Sequence, residues 1–383
     1  MHVQNFIPQG IKWQQCLCPS HLPYLLARML NEANAIIPLM RLSELGEFGL
    51  IDLISGISAR YENSRSTPWQ DVLVGIGDDA AAWQSDNRIQ LATTDTLVQG
   101  VHFDLDIIGW EELGWKALAV NLSDIAAMGG VPKYALLSLA LPADLEVQGI
   151  SKFINSIMHT ATEFGVAIVG GNITAAPNVM ITVTIMGYST SKNMLKRSTA
   201  SPGEQIAVTG YIGSSAAGLE MLKGRAISDP EASSLLRRAH FRPTPRVQEG
   251  QILIQQGVKT AIDISDGLVA DLDHICQSSK VSATIKMEQV PVHPLVTANF
   301  SHYRELALYG GEDYELLFTA DEATIARAKR ALNCPVTVIG SIAEKELPTR
   351  VTVLDNNGNI IPYKKGGWEH FKNGVPQIKF AQP

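Results

Sequence analysis

Apolar and polar positions follow two different periods along this chain, and the switches between them outline its elements. Phe48–Tyr61 reads as a helix, followed by a polar loop over 62–70. Val72–Ile76 and Ile89–Thr93 are short apolar runs of strand length, each leading into an acidic turn. Glu111–Met128 is apolar around nearly its whole circumference and reads as a buried helix, with Gly129 and Gly130 as its stop signal. Tyr134–Leu141 is a strand closed by Pro142, and Ile150–Phe164 is a helix. Val166–Val169 is a strand ending in Gly170-Gly171-Asn172, and Val179–Tyr188 alternates Met and Thr with Ile and Val as a further strand. The β-α-β-α-β-β order predicts an α/β domain.

A polar stretch at Ser189–Gly203, with Lys192, Lys196 and Arg197, marks a boundary. Beyond it the pattern gives a strand at Gln205–Thr209, then Gly210-Tyr211-Ile212-Gly213-Ser214-Ser215 before a helix to about Leu222. Helices follow at Ser233–Ala239 and Arg246–Gln256, then a strand at Ala261–Ile264 and a helix at Leu268–Ser278. The remaining strands are Ser282–Met287, Tyr314–Thr319, Val336–Ile339 and Val351–Leu354, which make the second half α+β. Residues 1–39 differ from both halves: they hold four prolines, no β period and one possible helix, Leu22–Ile37. The expected division is an N-terminal extension without assigned role over 1–39, an α/β domain over 40–190 and an α+β domain over 191–383. Met40 is a credible alternative start.

Charge and composition narrow the partners. The net charge is −7, with no Lys/Arg-rich run, which argues against nucleic acid or an anionic membrane. An acidic protein can still take a phosphate-rich ligand if metal ions invert the local charge. Cys16 and Cys18 are too closely spaced for a zinc knuckle and have no second Cys/His pair, and the four cysteines are otherwise scattered, which suits a reducing compartment. No apolar run of membrane-spanning length and no basic-then-apolar leader is present, so the expected location is the cytoplasm.

The chemistry concentrates in acidic turns: Gly75-Ile76-Gly77-Asp78-Asp79, Thr93-Thr94-Asp95-Thr96, Asn121-Leu122-Ser123-Asp124 and Asp263-Ile264-Ser265-Asp266-Gly267. Adjacent carboxylates at a strand end repel unless a cation sits beside them, although Gly-Asp-Asp also suits a solvated turn. In extended chain Thr93 and Asp95 share one face and Thr94 the other. Asp124 lies in so apolar a helix that it needs a partner, and the segment offers only Lys116 as a cation. Ser265 and Asp266 sit where N-cap residues belong, and Asp263 has no such role. Asp271 and Asp273 continue the acidic run, and Gly310-Gly311-Glu312-Asp313-Tyr314-Glu315 forms another acidic turn. Together these point to a magnesium pocket built from oxygen ligands, holding a polyphosphate. The Gly-rich, Lys-containing phosphate loop and the protein-kinase signatures are both missing.

These motifs, in this order from Arg41 to Phe371, resemble the thiamine-monophosphate kinase family. The resemblance runs through Gly46–Ile51, Gly75–Asp79, Thr94–Leu97, Gly100–Phe103, Lys116–Asp124, Asp263–Asp271, Gly310–Leu316 and Gly367-Trp368-Glu369-His370-Phe371. It implies the two-domain fold shared with aminoimidazole-ribonucleotide synthetase and selenophosphate synthetase, with an N-terminal α/β domain forming a homodimer and a C-terminal α+β domain. It also implies that Asp79, Thr93, Thr94, Asp95, Asp124, Asp263 and Asp266 hold several magnesium ions, and that Gly171, Asn172, Arg197 and Ser265 touch ATP. His102, Glu312 and Trp368 would touch thiamine monophosphate, and Asp95, Asp124 and Arg197 would serve catalysis. Asn172 departs from the Asp common at that position in the family. The implied reaction is direct, in-line transfer of the γ-phosphoryl group of ATP to thiamine monophosphate. Competing expectations are a purine-synthesis ligase, a selenophosphate synthetase or a non-catalytic nucleotide sensor on the same fold. A selenophosphate synthetase would use a reactive Cys or selenocysteine beside a Lys in its N-terminal loop, whereas Cys16 and Cys18 lie in the extension without that Lys; a sensor would need fewer acidic turns.

Overall fold

The computed structural model describes residues 40–62, 67–74, 82–83, 88–190, 194–344 and 350–362. The extension over 1–39, with its expected helix and both early cysteines, lies outside the described residues.

In the first half, helices α1 (Leu42–Glu62) and α2 (Thr67–Gln70) lead to a small antiparallel pair, β1 (Val72–Val74) and β2 (Ala82–Trp83). Then follow β3 (Ile89–Val98), α3 (Trp110–Ala127), β4 (Val131–Leu141), α4 (Val147–Glu163), β5 (Ala167–Ala175) and β6 (Met180–Ser189). The last four strands form a sheet in the order β3-β6-β4-β5, antiparallel except for the β4–β5 pair. Two expected turns are in fact strand. β3 does not end at Thr93 but pairs with β6 without interruption from Ile89↔Ser189 to Val98↔Met180. Cross-strand hydroxyl pairs, Thr94 with Thr184 at 3.0 Å and Thr96 with Thr182 at 2.8 Å, support the added length. β5 likewise continues through Gly170-Gly171-Asn172, matched residue for residue by β4 from Leu136 to Leu141. Gly171 is required there, because a Cβ on it would come within 1.8 Å of the Leu137 carbonyl oxygen.

The second half runs β7 (Gln205–Thr209), α5 (Ser214–Leu222), α6 (Pro230–Phe241), α7 (Val247–Gln255), β8 (Thr260–Asp263), α8 (Leu268–Ser279) and β9 (Ser282–Lys286). It continues with α9 (Pro294–Asn299), α10 (Tyr303–Tyr309), β10 (Leu316–Ala320), α11 (Glu322–Ala331), β11 (Val336–Ala343) and β12 (Val351–Leu354). Its sheet has the order β12-β9-β11-β7-β10-β8, with only β9 and β12 parallel. The pattern reading missed α9, α10 and α11. The first two are only six and seven residues long, too short to display a helical period. α11 carries readable signals: the Asp321 carboxylate accepts the Thr324 N–H at 2.9 Å as an N-cap, and Lys329 and Arg330 close the helix. β10 begins at Leu316 rather than Tyr314, since Glu312 and Tyr314 adopt φ of 65° and 53° and cannot extend the strand.

Helix α3 explains how the halves are joined. Being apolar on nearly all sides, it must be covered on all sides. One flank packs on β3, β6 and α4, and the other on α6, α7 and β8. Leu118, Leu122 and Ile125 therefore share one hydrophobic core with Phe241, Val247, Leu253 and Phe318 of the second half. Fully buried leucines such as Leu113, Leu118 and Leu122 each contribute about 1.5–3 kcal/mol. A bidentate ion pair, Arg237 with Glu112 at 2.9 and 2.6 Å, fastens α6 to the start of α3. Among the described residues no helix is long and apolar enough to cross a membrane.

Candidate active site

The polar residues of α3 are few and share one side. At 100° per residue, Lys116, Asn121, Ser123 and Asp124 fall within an arc of about 160°. Each reaches a different neighbour. The Asn121 Oδ1 accepts the Asp95 N–H at 2.9 Å, while Asn121 Nδ2 donates back to the Ala117 carbonyl. Thr93 Oγ1 donates to Asp124 Oδ2 at 2.5 Å. Ser123 Oγ donates to Asp263 Oδ2 at 2.8 Å, bridging the two halves. Lys116 reaches Glu312, with Nζ 2.9 Å from Oε1. Lys116, the one cation that the helix offers to Asp124, thus belongs to another carboxylate.

Asp263, 2% exposed, ends β8 and begins a tight turn. The turn is held by Asp271, whose Oδ2 accepts the N–H groups of Ser265, Asp266 and Gly267 at 3.1, 3.1 and 3.0 Å. Gly267 occupies the N-cap of α8, and no side chain caps that position. The capping role expected of Ser265 and Asp266 therefore falls to Asp271, which leaves the Asp266 carboxylate out of the cap. Asp273 pairs at the surface with Arg350. The opposite turn is laced to this one: Glu312 N–H donates to the Ser265 carbonyl, and Tyr314 N–H to the Ile264 carbonyl, at 2.8 and 2.9 Å. Gly311 permits the approach, since a Cβ there would lie 2.3 Å from the Ser265 carbonyl oxygen.

The carboxylates that meet here repel one another. Desolvation, with the charges of Asp124 and Asp266, raises Asp95 to about 6. Burial raises Asp124, against the Thr93 hydroxyl and Arg197, which pull it down. Asp263 is raised by burial and by Asp124, with Ser123 and Arg197 opposing. Burial, with Asp263 and Asp266, lifts Asp271 well above the ordinary carboxylate range. Tyr314 stands in the same field, its phenol raised by burial and by Glu312, Asp263, Asp95 and Asp124. Asp95, Asp124, Asp263 and Asp266 thus converge from β3, α3 and the β8–α8 turn, with Arg197 beside them. Their donors are all oxygen, and a hard divalent cation such as magnesium both fits that set and relieves the repulsion.

Not every expected site residue joins the cluster. Thr94 projects from the other face of β3, donating to the Val183 carbonyl at 3.1 Å. Gly171 shares a cross-strand row with Asp95 through Val183 and Leu137, three strands away, roughly 14 Å at ordinary strand spacing. Asn172 follows Gly171 on the β5 edge, opposite Ser138. His102 lies just after β3, its Nδ1 accepting the Val98 N–H at 3.1 Å, and it belongs to the field around Glu312. Asp78, Asp79 and Trp368 lie outside the described residues. Reading the sequence missed Asn121 and Ser123 as participants, although both are polar positions in an apolar helix beside Asp124. It also missed Tyr314, whose positive φ has no sequence signal.

Comparison with known proteins gives first a fold family and then a narrower one. Residues 77–189 match the family model of the N-terminal domain of AIR synthase related proteins, and residues 201–351 match that of their C-terminal domain. The fold is therefore the two-domain architecture of that superfamily. The thiamine-monophosphate kinase of Haemophilus influenzae is 38% identical over 86% of this chain and 98% of its own length. A crystal structure of thiamine-monophosphate kinase from Stenotrophomonas maltophilia K279a superposes with a TM-score of 0.70 at 36% identity, covering 81% of this chain and 96% of that one. A structure of AaThiL complexed with AMPPCP and TMP gives a TM-score of 0.65 at 36% identity, covering 88% and 100%. The chain belongs to the thiamine-monophosphate kinase family, and it is an enzyme of the kinase class.

Proposed function

We propose that this chain transfers the γ-phosphoryl group of ATP directly to the phosphate of thiamine monophosphate, giving thiamine diphosphate and ADP. One observation carries the reading: Asp95, Asp124, Asp263 and Asp266, with the Thr93 hydroxyl, meet from both halves of the chain beside Arg197. A pocket of that kind suits two phosphates that must be brought together against their own repulsion. An oxygen of the acceptor phosphate forms a bond to the γ-phosphorus as the bond from that phosphorus to the β–γ bridging oxygen breaks, and ADP leaves with the electron pair. The acceptor is largely ionised at neutral pH, so the chain supplies neither a nucleophile nor a general base.

Asp79, Thr93, Thr94, Asp95, Asp124, Asp263 and Asp266 are the residues we assign to magnesium. For Thr94 and Asp79 the assignment rests on the family resemblance. Bound magnesium supplies charge neutralisation to the phosphate oxygens. Arg197 offers a fork of donors to the transferred group, and Ser265, Gly171 and Asn172 belong to the ATP side. Glu312 is the counter-charge for the cationic thiazolium of the acceptor, with His102 and Trp368 completing that side. The division into 1–39, 40–190 and 191–383, a homodimer through the first domain and action in the cytoplasm form part of the same reading. The purified full chain, incubated with ATP, magnesium and thiamine monophosphate, is expected to form thiamine diphosphate and ADP in equal amounts. Tight ATP binding without product would overturn the reading and favour a nucleotide sensor.

A further inference from the structure

Lys116 is the largest fully buried side chain among the described residues, 1% exposed in the middle of the molecule. A lysine so placed is costly unless a carboxylate compensates it. Its compensation is the ion pair with Glu312 Oε1 at 2.9 Å, and among the described residues its Nζ meets no acceptor in hydrogen-bonding geometry. The second Glu312 oxygen, Oε2, lies 3.4 Å from His240 Nδ1. His240 is itself 4% exposed, and the same Nδ1 is 3.0 Å from Ser215 Oγ. Three elements therefore close on one carboxylate: α3 through Lys116, the end of α6 through His240, and the laced turn through its own backbone. Glu312 is held there at φ 65°, a conformation few non-glycine residues adopt without support. Yet its side chain remains 28% exposed, so it faces outward from this buried base.

We infer that Lys116 and His240 are positioning residues for Glu312, fixing the place and the charge of the carboxylate that receives the cationic part of the acceptor. This inference rests on the function proposed above. The ammonium takes Oε1 and the imidazole flanks Oε2, so the carboxylate cannot swing. Burial alone would raise Glu312, but the Lys116 ammonium outweighs it and holds the group below the usual range. His240 is kept neutral by its burial and by Lys116, with Glu312 opposing and Lys223 adding to Lys116. With Nδ1 facing a carboxylate oxygen, the neutral ring is assigned its proton on Nδ1.

The arrangement has a testable consequence. Without Lys116, Glu312 is left to draw a proton onto His240, which then supplies the missing charge at low pH. Steady-state kinetics of the full chain, varying thiamine monophosphate and ATP independently at pH 6.5 and 8.0, reads this directly. Lys116→Met is expected to raise KM for thiamine monophosphate tenfold or more at pH 8.0 while KM for ATP stays within twofold. At pH 6.5 at least threefold of that loss is recovered, and the recovery disappears in Lys116→Met/His240→Gln. Equal changes in both KM values, or an unchanged acceptor KM, would overturn the inference. If circular dichroism shows Lys116→Met unfolded, Lys116→Arg keeps the charge but displaces it. A rise in acceptor KM alone then supports the inference, and no such split overturns it. Wild-type protein that fails to phosphorylate thiamine monophosphate overturns the proposed function itself, whereas active wild type with no split overturns only this inference.

Discussion

Replacing Asp263 by Asn should stabilise the metal-free protein at pH 8 while abolishing catalysis. Asp263 is 2% exposed, and burial and the neighbouring Asp124 lift its carboxyl from 3.8 to about 7. The sign follows from linkage. A carboxyl whose folded pKa is raised is favoured in the fold only while neutral, so its contribution is intact below 3.8 and is lost as pH climbs toward 7. Each unit of difference is worth 1.36 kcal/mol, so between pH 4.5 and pH 8 the wild type loses up to about 3 kcal/mol that an uncharged Asn does not. Coupling to Asp124 shares that loss, and about 2 kcal/mol is expected at this site. Asn retains an oxygen for the Ser123 hydroxyl, so the tie between the halves survives. Urea unfolding in EDTA at pH 4.5 and pH 8 measures the difference. The stability gap in favour of Asp263→Asn should widen by about 2 kcal/mol at the higher pH. Millimolar magnesium should then stabilise the wild type, and the variant far less. A gap independent of pH, or wild-type stability that rises from pH 4.5 to pH 8 through this residue, would refute the claim that repulsion awaiting a cation is built into the fold.

Two further substitutions separate the roles of the neighbouring acids. Asp271→Ala strips the acceptor from three backbone N–H groups of the β8–α8 turn and should cost about 3 kcal/mol in urea unfolding, with turnover falling at least tenfold as Ser265 and Asp266 lose their support. Asp273→Ala breaks only the half-exposed pair with Arg350, so stability should change by less than about 1 kcal/mol and turnover should stay within twofold of wild type.

What could be read from the sequence was whatever is local. The period of Glu111–Met128 showed a helix with no solvent face, and the strand at Gln205–Thr209 carried the same bounds in the structure. Alternation correctly separated Thr93 and Asp95 from Thr94. The turns at Thr93–Thr96 and Gly170–Asn172 were misjudged because acidic and glycine residues were weighed as breakers, whereas partner strands over the full length override such propensities. The helices α9 and α10 were invisible for lack of length.

The site resisted reading for a different reason, which α3 makes plain. Four polar positions in an apolar helix announce that the helix must be answered by polar groups elsewhere, but not by which ones. Lys116 and Asp124 are two turns apart and look like partners. In the fold, α3 stands between the two halves, so an offset of about 80° around its axis is enough to send Lys116 to Glu312 in the second and Asp124 to Thr93 in the first. Ser123, nearly in line with Lys116, meets Asp263 from 140 positions away. A helix that faces both halves can hold the acidic cluster and the Lys116 support of Glu312 in one rigid piece. In the reaction proposed above, any rotation of α3 would move both ends of the transfer together, so the helix itself, rather than the loops around it, would set the distance between donor and acceptor sides.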